Sequence, residues 1–175
     1  MKHVYRLVVL NLALVLLIAC GGKGPQRPSQ RRGEAAKEDS TELALMELYA
    51  QLAIAADKQI QKVAMSQEEP YALYDANSWM HIIDHGNEQL KAPTHNSVCT
   101  VHMVTYTLNG RQLLDSEVSC CIGKGEIPVG VEWNLDELHP GGKAKLIVPW
   151  YMAYGQQGTD YIPPYENVII EIELK

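Results

Sequence analysis

Apolar positions along this chain follow three different patterns. From Leu7 to Ala19 they form an unbroken run behind Lys2 and Arg6. That run is too short to cross a bilayer and has the layout of a secretory signal, predicted over residues 1–19. The next stretch, Gly-Gly-Lys-Gly-Pro-Gln-Arg-Pro-Ser-Gln-Arg-Arg-Gly, offers nothing to a core and predicts a flexible basic tether over residues 20–38. Asp39-Ser-Thr-Glu42 then supplies a helix cap with a following acid, and Met46, Tyr49, Ala53, Ala56, Ile60 and Val63 recur at spacings of three and four. An amphipathic helix is expected over 39–66. Its alanine-rich stripe suits packing on the domain that follows, and pairing with a second copy of the chain is the alternative use.

Beyond Pro70 the period changes to two. Trp79, His81, Ile83 and His85 alternate with Met80, Ile82 and Asp84, as on a strand. Val98 to Tyr106 reads as a second strand, and Asn109-Gly110 is a hairpin signal before Gln112 to Asp115 and Val118 to Ile122. Glu132 to Leu138, closed by Pro140-Gly141-Gly142, has room for about two helical turns. Lys143 to Pro149 and Val168 to Leu174 complete the strands. The fold class expected over residues 71–175 is α+β, a curved antiparallel sheet wrapped around a short helix, with the amphipathic helix before it.

Composition adds direction. The chain has 15 Lys and Arg against 21 Asp and Glu, a formal net charge of −6, and its positive charge gathers in the tether. An acidic domain of this kind excludes nucleic acid as a partner. Leu17-Ile18-Ala19-Cys20 looks like a bacterial lipobox, in which Cys20 is lipidated and becomes the mature N-terminus. Two or three acyl chains anchor stably where one does not. The expected location is therefore the bacterial cell envelope, membrane-bound through lipid and facing the periplasm. Gly21, in place of the aspartate that retains lipoproteins in the inner membrane, tilts the expectation to the outer one.

Reactive constellations are few. His81-Ile-Ile-Asp84-His85 has the histidine spacing of a zinc helix, but on a strand both histidines share one face and Asp84 takes the other, so no metal is expected. A bridge from Cys99 to Cys120 or Cys121 is left open, and it leaves one of the three cysteines unpaired. Gly141-Gly-Lys143 lacks the spacing of a phosphate loop, and no Ser-His-Asp or paired-carboxylate pattern stands out.

Gly141-Gly-Lys-Ala-Lys-Leu-Ile-Val-Pro149, Ala153-Tyr-Gly155, Ile162-Pro-Pro164 and the closing Val168-Ile-Ile-Glu-Ile-Glu-Leu174 stand in the order and near-spacing of the FKBP-type peptidyl-prolyl isomerases. Val101-His-Met103, Asn109-Gly110 and Asp115-Ser116 extend the likeness more weakly upstream. The succession of lipobox, tether, helix and this domain particularly resembles the FKBP-like lipoproteins associated with gliding motility in bacteria. What the resemblance implies is rotation of X-Pro bonds in polypeptide clients, without nucleophile, metal or cofactor. The barrier of about 18–20 kcal/mol reflects amide resonance. A dry apolar cleft favours the twisted, less polar amide over the planar one.

By the same resemblance Tyr154 is the hydrogen-bond donor, and Ile127, Val131, Ile162, Leu113 and Ile170 form the apolar walls. Asp115 is a polar orienter once one residue is inserted before it. The pocket departs from the family at several points. Pro128 replaces a residue whose N–H binds ligand, Val131 stands where a tryptophan forms the floor, and Trp133 lies two residues further on. Met103 replaces a supporting tyrosine, Val118 and other aliphatics replace aromatic walls, and the chain has no phenylalanine. Losing several aromatic contacts and a donor weakens substrate binding by several kcal/mol on the order-of-magnitude scale of such contacts. A rival expectation follows: a catalytically degenerate FKBP-like chaperone or assembly subunit of an envelope complex.

Overall fold

The computed structural model describes residues 31–175, with side chains from Ser40 onward. The signal peptide expected over residues 1–19, Cys20 and the tether to residue 30 lie outside the described residues. Leu45–Lys175 forms one compact unit, and the packing described below is internal to it.

Helix α1 runs Arg31–Ser66, so it begins eight residues before the expected Asp39. Glu34, Ala35, Ala36, Lys37 and Glu38 are strong helix formers and carry it into the segment expected as tether. Six strands follow, β1 (Ala72–Leu73), β2 (Trp79–Asp84), β3 (Val98–Thr107), β4 (Gln112–Cys121), β5 (Lys143–Val148) and β6 (Val168–Leu174). They pair antiparallel throughout, in the order β1-β2-β5-β6-β3-β4, as one curved, unclosed sheet. β4 is one strand, not the two pieces its polar Ser116-Glu117 suggested. Glu117 points outward opposite His102, and half-buried Ser116 lies opposite inward Met103 on this edge strand.

The sheet's two faces have different partners. Val168, Ile170, Ile172 and Leu174 of β6, with Val101 and Met103 of β3 and Leu146 and Val148 of β5, point inward and are almost wholly buried. Lys143, Lys145, Glu171 and Glu173 point outward and pair across the strands at 3.0–3.7 Å. These partly exposed ion pairs contribute little to stability individually. Further along the outer face Ile147 is fully buried, because Ile60 and Ala64 of α1 cover it beside Trp79, Leu108 and Ile169. The inward face closes on a short helix, α2 (Val129–Glu132), and a 3-10 turn (Leu135–Glu137).

That short helix starts earlier and ends sooner than the sequence suggested. Pro128 occupies its cap with extended backbone, and its carbonyl accepts the N–H groups of Val131 and Glu132 at 2.9 Å. The side-chain amide of Asn134 donates to the Gly130 carbonyl at 2.7 Å, taking the acceptor that the next α-helical turn would use. The Asn134 N–H turns instead to Val131, in the tighter 3-10 pattern. Gly130 allows α2 to lie directly on the sheet. A Cβ there would stand 2.4 Å from Val148 Cγ1 and 2.7 Å from Ser78 Oγ.

Candidate active site

The predicted walls converge. Ile127 from the segment after β4, Val131 from α2, Ile162 from the β5–β6 loop and Ile170 from β6 are all at least nine-tenths buried in one hydrophobic cluster. Leu113 and Tyr154 pack against that cluster while keeping part of their surface exposed, so they form its rim. Val131 has no exposed surface at all, which makes the floor of this region closed.

Tyr154 is positioned by a loop with many internal ties. A 3-10 turn (Trp150–Met152) leaves β5, and Gly155 donates its N–H back to the Trp150 carbonyl at 2.8 Å. Further round, the Thr159 N–H binds the Ile162 carbonyl at 2.8 Å. Gly158 lies in the left-handed region at φ +64, and a Cβ there would stand 2.2 Å from that same carbonyl oxygen. Trp150 meets Tyr165 edge-on at 4.9 Å between ring centres, and its backbone N–H donates to the buried Asn167 Oδ1 at 2.9 Å. Helix α1 holds the loop from outside. Asp57 accepts a very short hydrogen bond from the Tyr151 hydroxyl, and Gln59 accepts from Asn167 Nδ2 at 3.0 Å.

The Tyr154 hydroxyl bonds to Thr105 Oγ1 at 3.0 Å, and Thr105 has no exposed surface. Burial pushes the phenol's pKa up, against a smaller opposing effect of the Thr105 hydrogen bond. Tyr154 therefore keeps its proton at neutral pH and remains a donor. An open cleft of about 540 Å³, lined by Trp150, Tyr151, Tyr154 and the Gly155–Gly158 turn, gives solvent access beside it.

Asp115 requires correction. It pairs with Val104, an outward position of β3, and its carboxylate binds His102 Nε2 at 2.7 Å on the outer face of the sheet. It does not join Tyr154. The cause is a bulge: Tyr106 opposes Gln112 while Thr105 opposes Leu114, so Leu113 is the extra residue. The insertion the resemblance required is present, but the parity it sets aims Leu114 inward and Asp115 outward.

Thr105 was missed by sequence reasoning. A signal existed, because Val101, Met103, Thr105 and Thr107 share one face by alternation, which places polar groups at inward positions. Two other departures from the family have clear positions in the fold. Pro128 caps α2 without an N–H, and Trp133 is 55% exposed, lining a separate concavity of about 390 Å³ with Asp75, His95 and Glu132. Buried Glu132 holds the loop there by accepting the N–H groups of Gly123 at 2.9 Å and Gly125 at 3.3 Å. The strand histidines are engaged separately, His81 with the Pro70 carbonyl and His85 with that of Glu137.

Comparison with known proteins agrees with this geometry. The profile of the FKBP-type peptidyl-prolyl cis-trans isomerases matches residues 90–175. FK506-binding protein 1 of Debaryomyces hansenii is 31% identical over 88 residues, covering 47% of this chain and 79% of that protein. A Neisseria meningitidis FK506-binding protein is 32% identical over 81 residues, covering 43% and 74%. Among solved structures, a Pseudomonas syringae peptidyl-prolyl isomerase superposes with a TM-score of 0.58 at 22% identity, covering 70% of this chain and 90% of that one. Escherichia coli FkpA gives the same TM-score and identity, covering 94% and 78%. Given these sequence matches and an apolar cluster rimmed by a tyrosine donor on this fold, the chain belongs to the FKBP-type peptidyl-prolyl cis-trans isomerase family, enzymes that catalyse rotation about the X-Pro bond.

Proposed function

We propose that this protein isomerises X-Pro bonds in exported or envelope polypeptides while anchored to the bacterial membrane through a lipidated Cys20. The observation that carries the catalytic part is Tyr154, a protonated phenol at the rim of an aliphatic cluster formed by Ile127, Val131, Ile162, Ile170 and Leu113. A proline ring resting against the partly exposed rim of that cluster, Leu113 and Tyr154, leaves water, and the amide preceding it loses the hydration that favours its planar form. Tyr154 donates to a substrate carbonyl and fixes the chain on one side of the rotating bond. With Thr105 donating to the Tyr154 oxygen, the tyrosine's own proton is free for the substrate. No covalent intermediate and no proton transfer is needed, so preorganised contacts account for the rate.

The anchoring part rests on the lipobox-like Leu17-Ile18-Ala19-Cys20 and the basic residues after it. Gly21 favours the outer membrane, with the domain facing the periplasm. The clients are proline-containing polypeptides, and nucleic acid is not among the partners. Leu45, Met46, Leu48, Leu52 and Ile54 are exposed along α1, which favours a homodimer through that helix. Mass spectrometry of the mature protein should find a lipidated N-terminal cysteine, and Cys20→Ser should leave the membrane fraction. Unchanged fractionation of that variant would remove the anchor from the proposal.

A second reading has its own observations. Val131 is fully buried, Pro128 offers no donor, and the Tyr154 hydroxyl already has a partner in Thr105. These favour a degenerate FKBP-like chaperone or assembly subunit of an envelope complex. A protease-coupled isomerisation assay on proline peptides, run beside Tyr154→Phe, separates the two. Turnover that falls in the variant supports the enzyme. Absent turnover in the parent, with aggregation of unfolded clients still suppressed, supports the chaperone.

A further inference from the structure

Cys99 and Cys120 are direct cross-strand partners on β3 and β4, and their sulfurs stand 3.8 Å apart. Both are on the core side: Cys120 is almost fully buried, and half-buried Cys99 packs against the same cluster. Cys121 pairs with Val98 one position along, so its side chain points to the opposite face. The choice the sequence left open, Cys120 or Cys121 as the partner of Cys99, therefore reduces to Cys120.

We propose that Cys99 and Cys120 form a dithiol–disulfide couple, closed by thiol–disulfide exchange with an external disulfide, while Cys121 stays a thiol. A separation of 3.8 Å is van der Waals contact, and a bond requires the sulfurs to approach to about 2.0 Å. Side-chain rotation with a small adjustment at the edge strand supplies that movement, since β4 has a neighbour on one side only. Cys99, the more exposed, attacks as a thiolate on one sulfur of the external disulfide, and the other sulfur leaves as a thiolate. The Cys120 thiolate then attacks Cys99 sulfur and releases the second thiol. The two protein protons end on the released thiols, and two electrons reduce one external disulfide. Burial raises the pKa of both thiols, Cys120 to about 12, so the exchange speeds up as pH rises.

The bond has a structural consequence for the cleft. It ties β3 to β4 at the end opposite the Asn109-Gly110 turn, where β4 delivers the chain to Ile122 and then to the wall residue Ile127. Glu126, next to Ile127, already accepts the Cys121 N–H at 2.8 Å. Closure of the couple thus fixes the strand end from which that wall hangs.

The test is equilibration of the full chain, purified reduced in detergent, against glutathione buffers of graded oxidised-to-reduced ratio, followed by alkylation, trypsin digestion and fragmentation mass spectrometry. Cleavage after Lys91, Arg111 and Lys124 separates Cys99 from the Cys120-Cys121 pair. The expected product is a Cys99–Cys120 linked pair of peptides, lighter by two hydrogens, with Cys121 alkylated. Cys121→Ser should leave the link intact, and the oxidised chain should unfold at higher urea than the reduced one. The proposal is overturned if Cys99 and Cys120 stay alkylated at every ratio, if the chain stops at a glutathione adduct, or if the bond involves Cys121.

Discussion

The hydrogen bond between Tyr154 and Thr105 makes a sharp prediction, because one partner has no exposed surface and the other is the proposed donor. Tyr154→Phe removes the phenol oxygen and leaves the Thr105 hydroxyl unpaired in the core. A net hydrogen bond is worth about 1 kcal/mol, and an unpaired buried hydroxyl adds to the loss, so about 1.5–2 kcal/mol is expected. Thr105→Val removes the other partner while keeping the side chain's shape. Tyr154 retains some solvent contact and its hydroxyl can turn to water, so the expected cost is about 0.5–1 kcal/mol. In the double variant neither group is left unpaired, and its total should fall short of the sum of the singles by about 1 kcal/mol. Urea unfolding followed by tryptophan fluorescence measures this, provided the slope of stability against urea stays constant across the set. Additivity within about 0.3 kcal/mol would show that the 3.0 Å contact carries no coupling and would refute the reasoning. The isomerisation assay gives an independent readout. Tyr154→Phe should lower kcat/KM by about five-fold, the equivalent of 1 kcal/mol, whereas Thr105→Val, with the phenol retained, should lower it less.

Ile60→Ala should cost about 2–4 kcal/mol without loss of cooperativity, because it opens the cluster over Ile147 and leaves the inward core intact. Equality with wild type in calorimetry would mean that α1 contributes nothing to the domain. Gly130→Ala should lower stability by up to about 2 kcal/mol: overpacking against Val148 costs about 1–3, partly offset by about 1 from helix propensity. A raised melting temperature would show that α2 can lift freely from the sheet. Alkaline pH should unfold the chain. Tyr154 and Tyr71 have pKa values raised mainly by burial, and Tyr151 is pushed up to about 12 by burial and the Asp57 hydrogen bond. Their folded values exceed the unfolded value of about 10, so this stability is fully present below about pH 10 and is lost as pH climbs through the folded values. Melting temperatures flat to pH 12 would contradict that account.

The strand periods and the Asn109-Gly110 hairpin were legible in the sequence, because alternation dictates which side of a sheet a strand residue occupies, whereas the wall positions Ile127, Val131, Ile162 and Ile170 came from the family resemblance. The family motifs around Ala153-Tyr154-Gly155 pointed to the donor in the same way. Parity through a bulge was not legible. Asp115 aligned acceptably by counting, yet one extra residue at Leu113 sends its carboxylate to the outer face, and no local pattern marks which residue a strand will leave unpaired. The limits of α2 were also a tertiary decision, since Asn134, which takes the Gly130 carbonyl, is held by Asp75 far back in the chain, accepting its N–H at 3.1 Å and donating to its carbonyl at 3.2 Å. The same holds for the two uses of alternation on β5. Ile147 keeps the alternation but is buried on the outward face because a helix more than eighty residues earlier covers it, and contacts at such separation leave no trace in local periodicity. Composition and spacing thus determined which residues are apolar, which turn and which alternate. Pairing register and helix docking decided which of them meet, because both depend on contacts between segments far apart in the chain.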